Sequence, residues 1–427
     1  MKKGLLRLKI YRHRSLKIDF LVIKVNFYLK ILQKNVELLL SLLHLKFDCC
    51  IIYKINKKYA IKQSEKIMNR VYNFAAGPSM LPVEVLEEAQ RELLNFNGTG
   101  MSVTEISHRA KPFMAVVEEA ESRLRSLMNI SDDYYVLFVQ GGASQQFAAV
   151  PLNLLGKNNK ADYVVSGNFA NKAYQEAQIY GDIHVAGSSK ADTYTYIPKN
   201  LDIRSDAAYL HITSNNTIFG TRFKEFPKTN VPLVADMSSE ILSREIDVNK
   251  FGVIYAGAQK NIAPAGVTIV IAKKSLVDDA ENVLPSCPTM LKWSTQAKDG
   301  SLYNTPPCFS IYMSMLVFRR LEKLGGVKAI EEINEAKAKM LYDFIDGSKL
   351  YKSTVNKEDR SIMNVPFVTG SEELDAKFIK EATQNGLCSL KGHRLVGGMR
   401  ASIYNAMPVE GVKALIDFMK KFEVENA

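Results

Sequence analysis

From residue 68 onward the apolar positions of the chain alternate between two rhythms. Leu81-Pro82-Val83-Glu84-Val85-Leu86-Glu87-Glu88-Ala89 sets a proline in a first helical turn with carboxylates behind it, and the apolar spacing runs on to Leu93 and Leu94, which predicts a helix. Residues 114–128 repeat the helical period. Short unbroken apolar runs at 135–139, 163–165, 208–212, 233–235, 253–255 and 267–271 read as strands buried on both faces. Strands spaced by helical stretches predict an α/β fold with a largely parallel sheet, and ligands belong at the carboxyl ends of such strands. After Leu324-Gly325-Gly326 a long helix through Met340 and Leu341 leads into mixed strands and helices, and a last helix starts near Pro408-Val409-Glu410. This predicts a separate, smaller α+β domain at the C-terminal end.

Composition changes the picture at one place. The 427 residues are 47% hydrophobic and 24% charged, the balance of a soluble globular chain of two or three domains. The formal net charge of +11 is not spread over that body: residues 1–67 hold 16 Lys+Arg against 4 Asp+Glu, and the remainder carries a net of −1. A basic nucleic-acid-binding body is thereby excluded, because neutralising phosphates requires Lys and Arg on the folded domain. Residues 1–67 have no Pro, one Gly and one Ala, and their longest charge-free stretch, 38–45, falls short of the roughly 20 residues of a membrane span. They show neither a secretory signal nor a transit peptide. The composition shifts at Met68, so translation is expected to start there, with 1–67 a basic extension; an interfacial segment or an accessory helix are the other readings. Five cysteines (Cys49, Cys50, Cys287, Cys308, Cys388) form no CxxC pair and no zinc-ligand spacing, which fits a reducing, cytoplasmic compartment and no metal site.

The candidate chemistry sits where strands end. Gly257-Ala258-Gln259-Lys260-Asn261 follows the strand at 253–255, and a lysine among small residues at a strand mouth can be partly desolvated and so kept nucleophilic enough to form a Schiff base. Leu233-Val234-Ala235-Asp236 ends another strand on a carboxylate. If the two strands are neighbours, Asp236 and Lys260 face one pocket, the pair that pyridoxal phosphate needs: a lysine for its aldehyde and a carboxylate for its ring nitrogen. Taken singly, each reads first as structural, a solvated lysine and a helix-capping aspartate, and it is the pairing and its context that favour the cofactor. Gln140-Gly141-Gly142-Ala143-Ser144-Gln145-Gln146-Phe147 turns from a strand into a helix, a place where backbone N–H groups can meet a phosphate; alone, such a Gly-Gly turn is usually only a turn, and it is no Walker loop. Ser107-His108-Arg109 and the run from Lys391 through Gly392, His393 and Arg394 to Arg400 supply three arginines and two histidines, suited to a dianionic substrate or to a solvated basic surface.

Together with Asn73-Phe74-Ala75-Ala76-Gly77-Pro78 and Asn304-Thr305-Pro306-Pro307, these motifs closely resemble the phosphoserine aminotransferase family, in the family's order from about Asn69 to the C-terminus. The resemblance implies a fold-type-I, class V pyridoxal 5'-phosphate transferase. Its large domain would span 83–325, and its small domain 68–82 plus 326–427. It also implies a homodimer with shared active sites that converts 3-phosphohydroxypyruvate and L-glutamate to O-phospho-L-serine and 2-oxoglutarate, with the 4-phosphohydroxy-threonine step of vitamin B6 synthesis as an optional second activity. By the same matching Lys260 is the Schiff-base lysine and Asp236 the partner of the ring nitrogen. Thr217 contacts the cofactor, and Gln259, Ala143 and Ser144 hold its phosphate. Asn304 and Thr305 reach the neighbouring subunit's cofactor phosphate. Arg400 and Arg109 bind the substrate's anionic ends, and His108, His393 and Arg394 select its phosphate.

Two positions depart from the family pattern. Phe169 stands where a tryptophan usually stacks on the cofactor ring, and the sole tryptophan, Trp293, lies elsewhere. Ala143-Ser144 stands where relatives often carry Gly-Arg or Gly-Cys. A cysteine desulfurase or similar lyase on the same scaffold would need a nucleophilic cysteine, for which Cys287 and Cys308 are the candidates, neither in a recognisable loop motif. A non-catalytic binding protein tethered by the basic extension would lack the lysine, aspartate and phosphate-loop set, and this chain has all three.

Overall fold

The computed structural model describes residues 70–426 apart from residue 157. The extension 1–67, with its expected start at Met68, lies outside the described residues. In chain order come strand β1 (Tyr72–Asn73), helix α1 (Val83–Glu92), α2 (Lys111–Met128), β2 (Tyr134–Val139), α3 (Gly142–Leu154), β3 (Lys160–Val165), α4 (Asn168–Ala177), β4 (Asp182–Ser188), β5 (Leu210–Thr213), β6 (Leu233–Asp236), β7 (Val253–Gly257) and β8 (Thr268–Lys273). They continue with α5 (Lys274–Val277), α6 (Trp293–Lys298), α7 (Cys308–Lys323), α8 (Gly326–Gly347), β9 (Lys352–Ser353), β10 (Asn364–Val368), α9 (Glu372–Gln384), β11 (Leu387–Cys388), β12 (Met399–Ser402) and α10 (Val409–Asn426).

Seven strands form one sheet in the order β2-β8-β7-β6-β5-β3-β4. All its pairings are parallel except the two made by β8, which runs against both β2 and β7. Successive residues of a strand point to opposite faces. Leu210, Ile212, Leu233, Ala235, Ile254 and Ala256 therefore enter one core, shared with α1, α2 and α7. Tyr163, Tyr209, Val234, Val253 and Tyr255 enter another, shared with α3, α4 and α6. Burial on both faces explains why these strands read as unbroken apolar runs.

The six expected strands are present, with ends shifted by up to three residues. β4 was not expected: its sequence Asp182-Ile183-His184-Val185-Ala186-Gly187-Ser188 is half polar because it is an edge strand with little of its length buried. Helix α7 was also not expected. Ten of its sixteen residues are buried all round, so it has no polar face to set a period. Helix α1 stops at Glu92, and Leu94, placed by the sequence in its apolar stripe, is 86% exposed.

A third core gathers Phe74 and Met80 with side chains of α8, β10, α9, β12 and α10. Around it lie the three-stranded antiparallel sheet β12-β10-β9 and the parallel pairing of β1 with β11. Among the described residues no helix is long and apolar enough to cross a membrane.

Candidate active site

Lys260 lies just past β7, in a turn closed by Ala258 N–H to Val267 O (3.1 Å) and by Ile262 and Ala263 N–H to Ala258 O. Gly77 covers the turn: its φ is +143°, and a Cβ there would lie 3.3 Å from Lys260 Cγ, so a side chain would strain the backbone and crowd the lysine. Ser79 fastens the same turn, its hydroxyl donating to Lys260 O and its N–H to Gln259 O. Lys260 Nζ donates to Thr217 Oγ1 at 2.7 Å. Burial pulls this amine from 10.5 to about 8; Asp236 opposes the shift, and Arg400 adds to it.

Strands β6 and β7 are neighbours, with Asp236 in register with Tyr255, so the carboxylate and the lysine leave adjacent strands at one sheet edge. Asp236 is buried, and its Oδ1 accepts from Ser238 N–H (2.9 Å) and Ser238 Oγ–H (2.6 Å). Ser238 Oγ accepts in turn from Gly257 N–H at 3.0 Å, tying the carboxylate to the end of β7. Burial raises the Asp236 carboxyl, while Lys260 and the Ser238 donors draw it back.

Where β2 passes into α3, Gly141 and Gly142 take φ values of +90° and +68°. Helix α3 has no side-chain cap, so the N–H groups of its first turn, at Ala143 and Ser144, are left for a ligand. Ser144 is exposed and Ala143 half-buried against the β2–α3 core. Gln140 Nε2 donates to Thr305 O at 2.8 Å, which places Thr305, itself exposed, and Asn304 beside this loop. Phe169 opens α4, its ring centroid 5.4 Å from Lys260 Nζ. Trp293 is instead a core residue, its Nε1–H donating to Gln146 Oε1 at 3.2 Å.

Arg400, on β12, donates to Thr217 O at 3.3 Å, while its Nε is buried without a partner; burial lowers its pKa from the usual guanidinium value. His393 is driven below its usual value by burial and then by Arg400, Arg394 and Lys172. His108 is buried with Nε2 unpartnered and is held low by burial and by Arg109. Arg109 and Arg394 are exposed.

The sequence reading missed the residues that hold the others. Thr217 Oγ1 donates to Ser239 Oγ, which donates to Asn215 O. Asn215 Nδ2 bonds Asn364 Oδ1, Asn364 Nδ2 bonds Ser402 Oγ and Tyr404 OH, and Tyr404 OH donates to Ala76 O. The available signal was a pair of serines, Ser238-Ser239, directly after the strand-end carboxylate.

The model of the class-V aminotransferase family matches residues 71–415. A phosphoserine aminotransferase of Bacillus cereus is 56% identical over 362 residues, covering 84% of this chain and all of that protein. Among solved structures, the phosphoserine aminotransferase of Bacillus circulans subsp. alkalophilus is 49% identical with a TM-score of 0.82, covering 84% of this chain and 99% of its own. A structure of "PLP bound" phosphoserine aminotransferase from Trichomonas vaginalis is 40% identical with a TM-score of 0.79, covering 82% of this chain and all of its own. With a lysine and a carboxylate on adjacent strands, an open helix terminus at the same sheet edge and likeness along nearly the whole described chain, the protein belongs to the phosphoserine aminotransferase family of class-V, fold-type-I aminotransferases.

Proposed function

We propose that the chain moves the amino group of L-glutamate to 3-phosphohydroxypyruvate, giving O-phospho-L-serine and 2-oxoglutarate, with pyridoxal 5'-phosphate as its cofactor. The observation that carries this reading is the lysine and the buried carboxylate leaving adjacent strands, at the same sheet edge as a helix terminus free of side-chain caps. These residues fit the cofactor: Lys260 would meet its aldehyde, Asp236 its ring nitrogen, and the uncapped N–H groups at Ala143 and Ser144 its phosphate. When bound, pyridoxal phosphate supplies an electron-poor ring that weakens the bonds at the substrate's α-carbon.

Ala143, Ser144 and Gln259 would hold the cofactor phosphate, and Thr217 and Phe169 would set the plane of the ring. Asp236 would keep a proton at the ring nitrogen, a task that its Ser238 bonds favour by stabilising the charged carboxylate. Lys260 moves the α-carbon proton: an amine near 8 gives up and takes back a proton at little cost near neutral pH. Arg400 and Arg109 would bind the carboxylate, and His108, His393 and Arg394 the substrate's phosphate. The cations crowding His393 support an anion between them.

The separate core around α8 and α10 supports a small domain of 68–82 plus 326–427 set against a large domain of 83–325. A cytoplasmic homodimer belongs to the same reading, with Asn304 and Thr305 reaching the neighbouring subunit's cofactor phosphate. The exposed side chains of Met101 and Tyr303, in the same segments as Arg109 and Thr305, give such an interface apolar surface to cover. Purified protein given phosphoserine and 2-oxoglutarate is expected to form glutamate. Turnover of serine or alanine with none of phosphoserine would overturn the substrate.

A further inference from the structure

Helix α8 carries two polar side chains a single turn apart, Asn334 and Lys337, both with no exposure at all. Lys337 Nζ donates to three carbonyls of one turn, those of Ile403 (3.0 Å), Tyr404 (2.8 Å) and Met407 (3.0 Å). A buried lysine usually meets a carboxylate. Here an ammonium group with three N–H bonds meets three backbone oxygens, a match that a neutral amine, with two, cannot make. Burial, with Arg320 adding to it, presses the amine down to about 7, whereas hydrogen bonds to three acceptors favour the charged form.

The turn so held follows β12, the strand of Arg400, and its middle residue grips the loop of Lys260. Asn405 N–H donates to Asn261 Oδ1 at 3.1 Å, and Asn405 Nδ2 to Leu242 O at 2.8 Å. Asn334 Nδ2 donates to Asn405 Oδ1 (2.8 Å) and Ser243 O (3.0 Å), and Asn261 Nδ2 to Ile241 O (3.1 Å). Asn261 directly follows Lys260. We propose that Lys337 is a positioning residue for the transamination: by clamping the turn 403–407 it sets Asn405 against Asn261, and so fixes the backbone that presents Lys260. The proposal rests on the reading of Lys260 given above.

The test compares Lys337→Met, Asn261→Ala and the double variant in the full chain. Three quantities are followed: melting temperature, apoprotein affinity for pyridoxal phosphate, and the pH at which the bound cofactor's visible absorption titrates. Lys337→Met is expected to fold, to bind the cofactor about tenfold more weakly and to move the titration by about half a unit or more. Asn261→Ala should move it the same way, and the double variant no further than the larger single change, because both cut one connection. Amide exchange of residues 258–263 in the apoprotein should quicken in each variant. A lower melting temperature with unmoved titration and exchange, or strictly additive shifts, would overturn the proposal. Where Lys337→Met does not fold, Asn261→Ala decides alone, since it leaves the lysine clamp whole: unchanged titration and exchange would again overturn it. The apoprotein exchange result does not depend on turnover, so it separates a failure here from a failure of the proposed reaction.

Discussion

The hydroxyl of Thr217 accepts from Lys260 and cannot give its hydrogen back. Its own O–H is spent on Ser239, whose O–H is spent on the carbonyl of Asn215, an acceptor only. Every hydrogen in this row therefore points away from the lysine. A neutral Lys260 still donates to Thr217 and keeps its lone pair free, the state that a nucleophilic amine needs.

Thr217→Val removes the acceptor that favours the charged amine, so the apparent value of Lys260 should fall below its present 8 or so. The rate at which apoprotein captures pyridoxal phosphate should rise through about pH 8 in the wild type and at lower pH in the variant. The sign on stability follows from the same shift: between about 8 and 10.5 the unfolded chain holds more protons at this lysine than the folded one. Lys260 thus opposes folding in full below about 8, and that penalty is relieved as pH rises through the window to about 10.5. Across that window the melting temperature of the wild type should gain with pH relative to that of Lys260→Met; parallel curves would count against the shift.

Purified protein should be yellow, and borohydride reduction followed by peptide mapping should label Lys260 and no other residue. Lys260→Ala should bind the cofactor without covalent attachment. A label elsewhere would reject the assignment.

Asp236→Ala should fold and lose most turnover, since a ring nitrogen without its proton is a poor electron sink. Ser238→Ala should act in the same direction and less strongly. It removes a 2.6 Å bond to Asp236 Oδ1 and the acceptor of Gly257 N–H, so a loss of roughly tenfold in kcat with little change in KM is expected.

Phe169 touches the region around Lys260 with a ring smaller than the indole common in the family. Phe169→Trp should tighten cofactor binding through added stacking area, and Phe169→Ala should weaken it by about 1 kcal/mol or more, read by equilibrium dialysis of pyridoxal phosphate. Tighter binding by the alanine variant would show that the ring does not stack.

Arg394→Ala should harm phosphoserine far more than glutamate, by about ten- to a hundredfold in kcat/KM, because a charged hydrogen bond is worth roughly 1.5–3 kcal/mol. Equal losses for the two substrates would assign Arg394 to carboxylate binding instead.

The strands at 233–235 and 253–255 and the residues that end them could be read from the sequence because local pattern is enough there: an apolar run, then Asp236 or Lys260. Which strands are neighbours is decided by long-range pairing, so the meeting of the two groups was a conditional statement until the register of β6 with β7 supplied it. Ser238 and Ser239 are common loop residues whose role appears only once Gly257 and Asn215 lie against them. Lys337 and Asn334 fall on the buried face of an amphipathic helix, where a period-based reading expects carbon, and only the turn 403–407 packed against that face explains them.

The reversed strand β8 turns the sheet into a ruler. Because it runs against both β2 and β7, those two strands point the same way, and their ends, which emit the loop at Ala143 and the loop at Lys260, are held two strand spacings apart, about 10 Å. Strand β6 sets Asp236 one spacing further on, about 5 Å beyond the lysine strand. Anchor, amine and carboxylate are thus ranked across the strands by the hydrogen-bond spacing of the backbone, a length that no side-chain substitution can alter. Loop changes such as Ala143-Ser144 can therefore alter how tightly a ligand is gripped while leaving untouched the size of molecule the row of strands measures out.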